Sequence, residues 1–88
     1  MVSLSHEAAG LIRSLVADSD LPDSAGLRLG TDDAKHSLAM ELEAAPHRDD
    51  LVLEREGASL FVSPLAASRV EDQTLHAQVR PRPAFYVD

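Results

Sequence analysis

The stretch Leu51-Val52-Leu53-Glu54-Arg55-Glu56-Gly57-Ala58-Ser59-Leu60-Phe61-Val62-Ser63-Pro64-Leu65-Ala66 compresses three elements into one run. Leu51–Glu56 and Ala58–Val62 are rich in leucine and valine and read as strands. Gly57 between them supplies the positive φ that a tight hairpin turn requires. Ser63-Pro64 then opens a helix. The serine hydroxyl accepts a backbone N–H at the N-cap, and proline stands where its missing N–H leaves no donor unpaired. Leu65, Ala66, Ser68, Arg69 and Val70 continue a helix of two turns, which Glu71-Asp72-Gln73 ends.

Upstream, Gly26-Leu27-Arg28-Leu29-Gly30 alternates and predicts a strand. Thr31-Asp32-Asp33-Ala34-Lys35-His36 is a polar turn. Ser37 to Glu43 alternates again, with Leu38, Met40 and Leu42 on one face, so the two strands form a hairpin. Ala44 to Asp50, with Pro46, is a connection. Before all of this, Leu4, Ala8, Leu11, Ile12, Leu15 and Val16 recur at spacings of three and four, one face of a helix. Ser3 or Ser5 caps its start, Glu7 favours its positive end, and it stops near Asp18.

Downstream, Thr74 to Val79 predicts a strand with Leu75, Ala77 and Val79 inward and His76 and Gln78 outward. Arg80-Pro81-Arg82-Pro83 is a turn, and Ala84 to Val87 a last strand. The order is helix, four strands, short helix, two strands. No β–α–β alternation appears, so the class is α+β with antiparallel or mixed sheets, in a single domain over 1–88.

Composition narrows the function. Fifteen acidic residues against eight basic ones leave a charge of −7, which argues against general nucleic-acid binding. No apolar run approaches the roughly 20 residues of a membrane span, and the first residues lack the pattern of a signal peptide. The expectation is therefore a soluble cytoplasmic protein. There is no cysteine, which removes disulfides, thiolate nucleophiles and all-cysteine metal sites. Only three aromatics are present, so leucine, valine and alanine must build the core.

Candidate chemistry is sparse. Asp32, Asp33 and His36 share one turn and bring two carboxylates and an imidazole within five residues, a set suited to loose divalent-metal binding. The alternative is a solvated turn whose aspartates bond their own backbone. His47, Asp49 and Asp50 form a second acidic loop, in which Arg48 disfavours a cation. His6, in the first helical turn, is expected to be exposed, and His76 to lie on an outward strand face. No nucleophile elbow, phosphate-cradling loop or acid–base pair is present, so no enzyme activity is expected.

The order of segments resembles the HesB-like, or A-type, iron–sulfur carrier family. Leu4-Ser5-His6-Glu7-Ala8-Ala9 is similar to that family's opening L-T-x-x-A-A helix. Gly26-Leu27-Arg28-Leu29-Gly30 is similar to its G-L-R-V strand. Gly57 to Pro64, continuing to Thr74-Leu75, resembles its G-v-x-v-f-V-D-p and L-x-G-x-x-i-D patterns, with Ser63 and His76 where aspartates are usual. The resemblance implies a small α+β domain with distorted sheets. Cluster-carrying members of that family use three cysteines, one in a turn after the first strand and two near the C-terminus. Here the turn reads Asp33-Ala34-Lys35-His36-Ser37, with His36 about where the first cysteine would be, and Tyr86-Val87-Asp88 contains no counterpart of the other two. One imidazole does not replace three thiolates. The resemblance therefore implies a degenerate carrier domain with no cofactor. It would act by protein–protein contact, as a homodimer or against an iron–sulfur assembly protein. The alternative is a weak iron or divalent-metal binder using Asp32, Asp33 and His36.

Overall fold

A computed structural model describes residues 1–88. Two sheets and two helices enclose one core. Strand β1 (Ser3–Leu4) leads directly into helix α1 (His6–Ala17). Four strands follow: β2 (Gly26–Asp32), β3 (Ser37–Glu43), β4 (Leu51–Arg55) and β5 (Ala58–Val62). Helix α2 (Pro64–Arg69), β6 (Thr74–Gln78) and β7 (Ala84–Val87) complete the chain. The α+β class with mixed sheets is as expected.

The larger sheet has the order β3-β2-β5-β4. Two hairpins, β2–β3 and β4–β5, place their second and first strands respectively on the outside. β2 and β5 then meet in the middle, running parallel with Leu27 opposite Leu60 and Leu29 opposite Val62. This explains a parallel pairing without a β–α–β unit. The tight turn between β4 and β5 has positive φ at both Glu56 (51°) and Gly57 (82°), the pairing that suits the twist of a two-residue hairpin. Gly26 answers a different need. β2 and β5 approach so closely there that a Cβ would lie 2.4 Å from the Ser59 carbonyl oxygen.

Alternation along the two central strands sends Leu27, Leu29, Leu60 and Val62 to one face, and all four are buried. Helix α1 lies against β5, β6 and β2 and adds Ala8, Ala9, Ile12 and Val16 to the same cluster. Burying a side chain the size of Ile12 contributes about 1.5–3 kcal/mol. Both predicted caps form: the Ser5 hydroxyl accepts from the Ala8 N–H at 3.1 Å, and Ser63 from the Ala66 N–H at 3.2 Å.

Three local expectations need correction. Leu4 is not helical. It belongs to β1, which pairs parallel with β6 through Leu4 and Leu75, and two residues are too few to leave a periodic signal. Thr31 and Asp32 are strand, not turn, because their pairing with Leu38 and Ser37 extends the hairpin. Val79 does not face inward. β6 ends at Gln78, opposite Ala84, and Val79 begins the loop with 63% of its surface exposed.

Candidate functional site

The turn proposed from sequence stands at the far end of the β2–β3 hairpin. Asp32 pairs with Ser37. Its carbonyl oxygen accepts from the Lys35 N–H at 3.2 Å, and that of Asp33 from the His36 N–H at 3.4 Å. His36 adopts φ 51°, the left-handed conformation that histidine tolerates better than most residues. Asp33, Ala34, Lys35 and His36 are all exposed. No three histidine or carboxylate side chains, these included, come together in an arrangement able to hold a metal ion.

The second acidic loop is organised quite differently. Arg28 leaves β2 on the face opposite the core and reaches Asp50 with two parallel hydrogen bonds. Nε donates to Oδ2 at 2.9 Å and the second terminal nitrogen, Nη2, to Oδ1 at 3.0 Å. The His47 backbone N–H donates to the same carboxylate at 2.9 Å. The Asp50 side chain is fully enclosed, while that of Arg28 is 19% exposed. The Arg28 hydrogen bonds hold the Asp50 carboxyl below its ordinary range, against the opposing effect of burial, and the His47 N–H adds to the lowering. Arg28 is raised by the same bonds and by the nearby charges of Asp50, Glu43 and Glu41. His47 further ties to Glu43 at 2.8 Å. These are restraints on a loop: Arg28, Asp50, His47 and Glu43 are engaged with one another, while Arg48 and Asp49 are exposed.

Two further polar contacts join distant parts of the chain. His6 Nδ1 lies 2.6 Å from Glu56 Oε1, and the Arg13 guanidinium donates to the Glu56 carbonyl oxygen at 2.6 Å. Together they fasten the β4–β5 turn to α1. His6 is exposed, as expected. His76 stacks on Tyr86 with ring centroids 5.2 Å apart and lies 2.8 Å from Asp88. None of these partners is readable from local sequence, because each joins residues on different elements. A shallow cleft of about 200 Å³ between α1 and the β5 start is lined by Ile12, Arg13, Val16, Asp23, Ala25 and Ala58. Its polar rim is one arginine, already bonded, and one aspartate.

The residues present do not fit an iron–sulfur cluster. The chain has no cysteine, and its histidines and carboxylates do not converge, whereas such clusters are held chiefly by thiolates. A scan against protein-family models finds no match, and neither does a search of the curated proteins. Solved structures do match. Escherichia coli SufA, involved in the biosynthesis of iron–sulfur clusters, superposes with a TM-score of 0.82 at 28% identity, over 99% of this chain and 83% of SufA. IscA, solved with a [2Fe-2S] cluster, superposes with a TM-score of 0.75 at 19% identity, over 100% of this chain and 84% of IscA. In the path of its backbone and the order of its elements, this chain has the A-type, HesB-like iron–sulfur carrier fold.

Proposed function

We propose that the protein is a cysteine-less A-type domain that serves iron–sulfur cluster biogenesis by protein–protein contact, without carrying the cluster itself. One observation supports this above all: a backbone matching SufA at a TM-score of 0.82 is combined with a chain that has no thiolate to offer. The fold persists where the ligands do not. A domain of this kind can still present a carrier-shaped surface. Its partner is a cysteine-bearing relative or another iron–sulfur assembly protein, and its place is the cytoplasm. The reading assigns it no catalytic step.

The experiment is a titration of this protein against a cysteine-bearing A-type carrier from the same organism, followed by sedimentation velocity. A hetero-complex with the iron and sulfide retained on the partner is expected. Failure to form any complex with the carrier, together with iron retained on this chain alone, would overturn the proposal.

A further inference from the structure

The two sheets leave four outer strands, and three of them are guarded. β3 carries Glu41 and Glu43, β4 carries Glu54 and Arg55, and β1 is only two residues long. Charges and short lengths are the usual means of keeping a sheet edge from pairing with another chain. β7 is the exception. It is the edge of the sheet β1-β6-β7, and Ala84-Phe85-Tyr86-Val87 contains neither charge nor proline.

Its open hydrogen-bonding groups follow from the register. Thr74 and Asp88 exchange both backbone hydrogen bonds, at 3.0 and 3.2 Å. Alternation in an antiparallel ladder makes His76–Tyr86 and Gln78–Ala84 bonded pairs as well. Phe85 and Val87 therefore direct their N–H and C=O groups away from β6, toward the open edge. Tyr86 is 46% exposed on the outer face and is held there by its stack on His76.

The loop entering this strand carries the complementary signal. Arg80 and Arg82 are exposed and form none of the ion pairs of the chain. Pro81 and Pro83 restrict the backbone around them. On a protein of net charge −7, two unpaired cations stand at the beginning of an unguarded edge. We infer that β7 accepts an added strand from a partner protein: an extended segment with apolar alternation and acidic residues at the end that meets Arg80 and Arg82. Backbone pairing along Phe85 and Val87 supplies affinity, and the arginines select register and charge. This inference rests on the protein-contact reading and gives it a surface.

The probe is a labelled peptide of alternating valine and threonine ending in two glutamates, compared with the same peptide ending in two lysines. The acidic peptide should bind saturably and the basic one should not. The double variant Arg80→Glu/Arg82→Glu, at exposed positions that leave the core intact, should weaken the acidic peptide by about tenfold or more. At saturation, the amide protons of Phe85 and Val87 should become protected from exchange, while that of Tyr86, already bonded to β6, should not change. Absence of binding, equal binding of the two peptides, or unaltered Phe85 and Val87 exchange at saturation would overturn the inference. So would a free protein that sediments as a dimer with both amides already protected, since a second copy would then fill the edge. A carrier complex that survives the double charge reversal would refute this surface and leave the protein-contact reading standing.

Discussion

Two loops of nearly the same chemistry meet opposite fates. Residues 32–36 and 47–50 each bring aspartates, a histidine and one cation into a short turn. In the first, Asp33, Ala34, Lys35 and His36 stay exposed and the turn closes on its own backbone. In the second, Arg28 arrives from β2, takes Asp50 in a two-pronged grip and encloses it completely. Local composition does not separate them. What separates them is whether a neighbouring strand places a guanidinium within reach, and that is decided by sheet order.

A scaffold mutation sets the scale against which both loops are judged. Leu60 and Val62 are fully buried on the central strand β5, so Leu60→Ala should cost about 3 kcal/mol through lost contacts and the cavity it leaves. In a domain this small that is a large part of the total. Urea denaturation measures it, and a variant that melts like the parent would refute the placement of β5. Next, Arg28→Ala should cost about 1.5–3 kcal/mol, because it strips charge-assisted bonds from an enclosed carboxylate. Loss of order in residues 44–50 by amide exchange should accompany it.

The same pair predicts an acid response. The carboxyl of Asp50 is lowered in the folded state. Its contribution is thus present above the ordinary carboxylate value of about 4 and is lost as pH falls through the lower folded value. Asp50→Asn should flatten the stability profile in that acid window and leave its slope near neutrality unchanged. An unaltered acid limb would contradict the ion pair. The smallest effects belong to the first loop. Asp33→Ala and His36→Gly should each change stability by no more than about 0.5 kcal/mol, the glycine relieving the left-handed backbone at position 36. Calorimetric titration of zinc into the parent and into His36→Ala should give the same curve, since no three ligands converge. A specific site lost in the variant would reverse the contrast between the loops.

Much of the fold was legible because its signals are local. Ser63-Pro64 marks the start of α2, Gly57 the hairpin turn, and the spacing of Ala8, Ile12 and Val16 one helix face; each needs only a few neighbouring residues. The two-residue β1 was illegible because its identity lies in a partner, Leu75, at the other end of the chain. For the same reason Arg28 and Asp50, His6 and Glu56, and His76 and Tyr86 could not be paired in advance. Asp32, Asp33 and His36 cluster metal-ligating residue types in sequence. Ligation requires side chains that converge in space, and here the turn closes on its own backbone at the hairpin tip while no three such side chains come together. The absence of thiolates needed no structure, and it bears most directly on function.

Whether this fold can hold a cluster without thiolates is tested most directly by anaerobic reconstitution with ferrous iron and sulfide, followed by desalting, visible absorption and iron counting. A colourless, iron-free protein is expected, because the fold is present and the ligands are not. Stable iron with charge-transfer bands would contradict it, and would mean that histidine or carboxylate groups of this chain hold a centre that the arrangement described above does not provide.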